Sequence, residues 1–118
     1  MIQGIGIDIT ELHRIKKSMN KNNRFIKRIL TNSEQEIFFS LESEARKVEF
    51  LAGRFAGKEA FAKAAGTGIG KLSFQDIEIL RQENGAPMIQ VSGFEMSKIF
   101  ISISHSEAYA VAQVVLED

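Results

Sequence analysis

The chain has 118 residues, 44% of them hydrophobic, with nine Phe and a net charge of zero from 15 basic and 15 acidic side chains. This fits one compact domain over residues 1–118 with a modest core, and it excludes a disordered chain. There is no cysteine and only His13 and His105 supply imidazole, so disulfides, thiolate nucleophiles and cysteine-built metal sites are excluded, and a metal would take oxygen ligands.

The neutral balance argues against bulk adhesion to nucleic acid or membrane. No run approaches the ~18 apolar residues of a membrane span, and the N-terminus MIQGIGIDIT lacks the basic-then-apolar order of a leader, so a cytoplasmic protein is expected.

Residues 4–9, GIGIDI, alternate strictly and predict a strand with Ile5, Ile7 and Ile9 on one face and Gly4, Gly6 and Asp8 on the other. Glycine inside a strand often marks close approach by a ligand or another backbone. Whatever covers that face therefore comes near Asp8. Thr10 is the expected N-cap of a helix from Glu11 to about Met19, broken by NKNN at 20–23, and a second short helix runs to about Leu30. From Leu12 to Ser33 there is no acid, while Arg14, Lys16, Lys17, Lys21, Arg24, Lys27 and Arg28 are basic. Such a run is ordinarily a solvated face, and its complete lack of acids favours a docking surface for an acidic neighbour.

Ser33 and Glu36 have the spacing of a capping box for a third helix over TNSEQEIFF. A long helix follows from about Glu44 to Ala65, closed by Gly66. Its residues Gly53, Gly57, Ala60 and Ala64 form a small-residue stripe for close packing, although each glycine costs about 1 kcal/mol of helix propensity. Glu59 lies within roughly 40° of Val48, Ala52 and Phe55 on the helical wheel. A carboxylate on that apolar stripe needs a partner, because unpaired burial costs several kcal/mol or protonates it. Lys63, at i+4, would make an ordinary helix ion pair. Alternatively Asp8 meets Glu59 across strand and helix with a cation between them. That cation would be Mg²⁺, which takes one or two carboxylates, water and a substrate phosphate, and Lys63 would then bind phosphate.

The loop GTGIGK at 66–71 fails the phosphate-loop pattern, since Ala65 and Leu72 stand where Gly and Ser or Thr are required. It reads as a C-cap and connection. Strands are predicted at DIEIL (76–80), MIQV (88–91), KIFISISHS (98–106) and AYAVAQVVL (108–116). Asn84-Gly85 signals a hairpin, and SHSEA a second tight connection. Helices early and strands late predict an α+β fold, a mostly antiparallel sheet packed around the long central helix. His105 ends a strand, where a histidine is ordinarily a surface residue.

Three segments, GIGIDI, FLAGRFAGKEAFAKAAGTG and SISHS, together resemble the holo-(acyl-carrier-protein) synthase family, the small type of 4′-phosphopantetheinyl transferase. The likeness spans nearly the whole chain, in order and in spacing. It implies the 4′-phosphopantetheinyl transferase-like fold and transfer of the phosphopantetheine arm of coenzyme A to a serine of apo acyl carrier protein, releasing adenosine 3′,5′-bisphosphate with Mg²⁺ as cofactor. It assigns Asp8 and Glu59 to the metal and to catalysis, and Lys63 to the reacting phosphate. Arg54 and Lys58 become phosphate contacts, His105 a neighbour of the coenzyme's 3′-phosphate, and Asn84, Gly85 and Pro87 contacts of its adenosine end. Family members are homotrimers with sites between subunits, so Gly66, Thr67 and Gly68 are expected to reach a neighbour's coenzyme. The acidic carrier would dock on Arg14, Lys17, Lys21, Arg24 and Arg28. The family pattern has Ala where Gly57 stands. The rival expectation is a non-catalytic module that grips an acidic protein or RNA with the basic run while Glu59 pairs with Lys63. Only Phe25 interleaves with those basic residues, a weak signature for single-stranded nucleic acid.

Overall fold

A computed structural model describes residues 1–118. Its elements are β1 (Ile2–Glu11), α1 (Leu12–Lys21), α2 (Asn23–Ile29), α3 (Asn32–Ser40), α4 (Glu44–Ala65), a 3₁₀ turn (Phe74–Asp76), β2 (Ile77–Arg81), β3 (Pro87–Val91), β4 (Lys98–His105) and β5 (Tyr109–Glu117). The fold is α+β, with antiparallel strands in two sheets, β1-β5-β4 and β2-β3, packed against α4.

The small residues of α4 explain its central place. A Cβ on Gly4 would lie 1.9 Å from the carbonyl oxygen of Ala64, and one on Gly6 would lie 1.9 Å from that of Ala60. Only glycine lets β1 rest backbone-on-backbone against the helix. On another side of α4, Gly53 and Gly57 face the side chains of Ile79, Ile101 and Ile103. The hydrophobic core divides around α4 accordingly. Ala56, Phe61, Ile77, Ile79 and Val114 fill the space between helix and sheets, and Ile15, Ile29, Leu30, Phe38 and Leu51 fill the space between α4 and the shorter helices. Each large side chain fully buried there contributes about 1.5–3 kcal/mol.

Two helix starts differ from expectation. Thr10 does not cap α1: β1 continues to Glu11 because Thr10 and Glu11 pair with Ala110 and Tyr109 of β5, and the Thr10 hydroxyl donates to Asp8 Oδ2 at 2.7 Å. Strand pairing outcompetes the local cap. The capping box of α3 is Thr31 with Glu34 rather than Ser33 with Glu36. Both pairs have the required spacing, and the box that forms is the one whose carboxylate enters a buried ion pair. Asn84-Gly85 does sit in the β2–β3 hairpin, where Gly85 has φ 87° and Arg81 pairs with Pro87. The link from β4 to β5 is equally tight, with the Ser106 amide bonded to the Tyr109 carbonyl at 2.8 Å.

Candidate active site between the first strand and the long helix

The glycine contact sets β1 and α4 in opposite directions, Gly4 at Ala64 and Gly6 at Ala60. Helical side chains lean toward the N-terminus, so Lys63 reaches back along α4 to the next residue of that strand face. Its Nζ donates to the Ile7 carbonyl at 3.0 Å and to Asp8 Oδ1 at 3.3 Å. The Asp8 side chain is 15% exposed, that of Lys63 54%. Glu59 stands beside them: burial first, and then the charge of Asp8, push its carboxyl pKa up, with Lys63 opposing. Lys63 thus engages Asp8 across the strand instead of Glu59 along the helix.

Two carboxylates that repel each other beside one lysine suit a hard cation. Mg²⁺ is such a cation: it takes one or two carboxylates and fills its other positions with water and substrate oxygen.

A second concave region lies between α3, α4, the β2–β3 hairpin and the end of β4. This cleft of about 760 Å³ collects Arg46, Arg54, Arg81, Gly85, Pro87 and His105. It brings together four residues singled out from sequence, Arg54, Gly85, Pro87 and His105. Asn84 instead shapes the hairpin, its Oδ1 accepting from the Ala86 amide at 2.9 Å. Arg54 is 5% exposed, its guanidinium lies 4.0 Å from the centre of the Phe50 ring, and its Nε has no partner. Burial lowers its pKa to about 10, so it stays charged at neutral pH. A buried, incompletely satisfied cation with two further arginines suits an anion, with Glu49 the one carboxylate in the lining. His105 Nδ1 is 3.6 Å from Glu49. Arg46 and Arg81 were not singled out from sequence, although Arg46, Phe50 and Arg54 follow one another at the i, i+4 spacing of a single helix face.

Lys58 departs from its expected role. Its side chain is 0% exposed, as is that of Glu34, and its Nζ donates to Glu34 Oε1 at 2.6 Å, the Ile29 carbonyl at 2.6 Å and the Phe74 carbonyl at 3.1 Å. Its pKa is lowered by burial, with Glu34 opposing. One residue is about 100° of helix rotation, which turns Lys58 away from Glu59 and into the core between α4 and the shorter helices. It cannot contact phosphate there.

Gly66, Thr67 and Gly68 are exposed just beyond Lys63. Gly66 and Gly68 have φ 77° and 66°, and the three amides turn back to the carbonyls of Ala62 and Lys63 as a helix cap. Arg14, Lys17, Lys21, Arg24 and Arg28 are all exposed. The break between α1 and α2 falls at Asn22, whose side chain caps α2 through the Arg24 amide. No helix is long and apolar enough to cross a membrane.

The profile of the 4′-phosphopantetheinyl transferase superfamily matches residues 4–114. The holo-(acyl-carrier-protein) synthase of Oceanobacillus iheyensis is 59% identical, over 99% of this chain and 98% of that protein. This chain belongs to the holo-(acyl-carrier-protein) synthase family. The Bacillus subtilis synthase is 56% identical over 99% of this chain and 97% of its own. Among solved synthases, the crystal structure from Bacillus anthracis in complex with CoA (3′,5′-ADP) superposes with a TM-score of 0.91 at 52% identity, covering 99% of this chain and 97% of that one. The Helicobacter pylori synthase in complex with coenzyme A superposes with a TM-score of 0.84 at 38% identity, covering 96% of this chain and 99% of that one.

Proposed function

We propose that this chain, residues 1–118 acting as one domain in the cytoplasm, transfers 4′-phosphopantetheine from coenzyme A to a serine of apo acyl carrier protein. The observation that carries this reading is the meeting of Asp8 with Lys63 beside Glu59, in a family whose solved members include coenzyme complexes. The serine oxygen forms a bond to the coenzyme's β-phosphorus as the bond to the leaving adenosine 3′,5′-bisphosphate breaks. The protein positions the reactants and neutralises charge. Asp8 and Glu59 are the residues that would hold magnesium, which when bound supplies charge neutralisation at the pyrophosphate oxygens. Lys63, poised between strand and solvent, stabilises the departing phosphate. Glu59, or a water beside it, would take the serine proton. Arg54 and His105, with Gly85 and Pro87 shaping the cleft, receive the phosphorylated adenosine end.

The working unit in this reading is a homotrimer. Glu59 and Lys63 lie about 140° and about 180° around α4 from Arg54, so a single protomer turns its metal and phosphate residues away from its anion cleft. A ligand lying between protomers, with Gly66, Thr67 and Gly68 reaching a neighbour, meets both. Supporting this, the outer face of β1 exposes Ile5, Ile7 and Ile9 at 59%, 55% and 64%, an apolar surface that a monomer rarely leaves in water. The acidic carrier docks on the basic α1–α2 surface, including Arg14, Lys17, Lys21, Arg24 and Arg28.

Release of adenosine 3′,5′-bisphosphate from coenzyme A and Mg²⁺, measured with and without apo carrier, tests the reaction. Carrier-dependent release supports it. No release at any carrier concentration overturns it.

A further inference from the structure

A helix leaves its last four carbonyls without partners in its own turns, and a left-handed glycine commonly satisfies some of them. Helix α2 lacks that device. Leu30 follows it in extended conformation, φ −102° and ψ 136°, and the backbone supplies only the bond from the Leu30 amide to the Ile26 carbonyl, 2.9 Å. With seven residues, α2 is also too short to hold its shape unaided.

Its end carbonyls are met by side chains from three other elements. Gln75, in the turn before β2, donates its Nε2 to the carbonyls of Lys27 and Leu30, both at 2.8 Å, and at 3.3 Å to that of Arg28. Lys58 of α4 donates to Ile29, and Gln35 of α3 donates to Leu30 at 2.9 Å. The neighbour of Gln75, Phe74, lies 6.0 Å beneath the Arg28 guanidinium and stacks on Phe55 of α4 at 5.6 Å.

We propose that Gln75 is a positioning residue for the carrier protein: it fixes the end of α2, and so holds Arg24 and Arg28 in place relative to Glu59. This rests on the docking role of the basic surface stated above. Lys58 and Glu34 are core residues whose loss disturbs the whole fold, whereas Gln75 is exposed and contacts the carbonyls of Lys27, Arg28 and Leu30. Without its amide donor, the α2 end loosens and the arginines must be ordered at each encounter with the carrier. Ordering of that kind weakens association. It therefore appears in the Michaelis constant for carrier, not in coenzyme binding or turnover.

The test compares Gln75→Ala, Gln75→Glu, Gln75→Lys, Arg14→Glu and Arg24→Glu in the full chain, with coenzyme A, Mg²⁺ and an acidic apo carrier protein, alongside thermal melting. Gln75→Ala is expected to raise the carrier KM about fivefold, the equivalent of one hydrogen bond. Its kcat and coenzyme KM should stay within about twofold of wild type on the same scale. Gln75→Glu sets a carboxylate against helix-end carbonyls and should do at least as much. Gln75→Lys restores a donor suited to the negative end of a helix and should return the carrier KM toward wild type. An unchanged carrier KM in Gln75→Ala and Gln75→Glu, with Arg14→Glu and Arg24→Glu raising it, overturns the positioning role and leaves the docking surface standing. If the arginine variants also leave it unchanged, both ideas fail. Loss of fold or of kcat in Gln75→Ala without a rise in carrier KM assigns Gln75 to structure alone and overturns the proposal, as does a rise of equal size in Gln75→Lys.

Discussion

Gly6 and Ala60 touch through their backbones: a Cβ on Gly6 would stand 1.9 Å from the Ala60 carbonyl oxygen. The next residue of the same strand face is Asp8, and the next turn of the same helix carries Lys63. The distance between strand and helix axes, and hence the Asp8–Lys63 contact, depends on there being no side chain at Gly6.

Gly6→Ala should therefore destabilise the protein by about 3 kcal/mol, since the obstruction is backbone that cannot step aside. Gly57→Ala makes an instructive contrast. Its Cβ would meet Ile79 Cδ1 at 2.7 Å and Ile101 Cδ1 at 3.1 Å, the free ends of side chains that can turn, and helix propensity returns about 1 kcal/mol. Its stability should stay within about 1 kcal/mol of wild type on that balance. Urea unfolding of both variants decides the matter, and equal tolerance of the two substitutions contradicts the contact.

Lys58→Met leaves Glu34 buried without its countercharge and should cost about 3–5 kcal/mol of unfolding free energy. A phosphate-binding lysine would behave in the opposite way, with stability kept and the coenzyme KM raised. Denaturant melts and coenzyme titration of this variant distinguish the two outcomes.

Much of this arrangement is legible from sequence because it depends on local period. Strand alternation in GIGIDI places Asp8 opposite the isoleucines, and the long helix runs from Glu44 to Ala65 and is closed by Gly66 as expected, while its N-cap, Ser43, was not singled out. What escaped depends on tertiary choice. Thr31-Glu34 and Ser33-Glu36 are equivalent as local signals, and the Lys58 ammonium and the Ile79 amide, both bonded to the Glu34 carboxylate, select the first. Lys58 itself follows from helix phase once Glu59 is placed, yet its burial requires knowing that α1–α3 cover that face. The division of the strands into two sheets likewise rests on how they share the surface of α4.

Glu59 carries a pH signature. Its pKa is raised above 4.5 by burial and by Asp8, so between the unfolded value and the raised one the folded protein binds more protons, and stability falls as pH rises through that window. In chelator at pH ~7, above the usual carboxylate range, Glu59→Gln should be at least as stable as wild type. The advantage should fade below about pH 4.5, where the glutamate is protonated in both states. Thermal melts across pH check the sign, and a variant less stable than wild type at neutral pH refutes it.

Ile5 is 59% exposed on the outer face of β1, so Ile5→Glu costs the isolated protomer little while placing a charge in the proposed subunit contact. The variant should sediment as a monomer, retain its circular dichroism and lose transfer activity. Wild type sedimenting as an active monomer at assay concentration would contradict the shared site.

The most direct measurement is the intact mass of apo acyl carrier protein after incubation with coenzyme A, Mg²⁺ and either the wild-type chain or folded Asp8→Asn. The wild-type chain should add one phosphopantetheine group to the carrier and release an equal amount of adenosine 3′,5′-bisphosphate, while Asp8→Asn leaves the carrier unmodified. A carrier unchanged by the wild-type chain, or modified equally by Asp8→Asn, would contradict the assignment of transfer to the Asp8, Glu59 and Lys63 site.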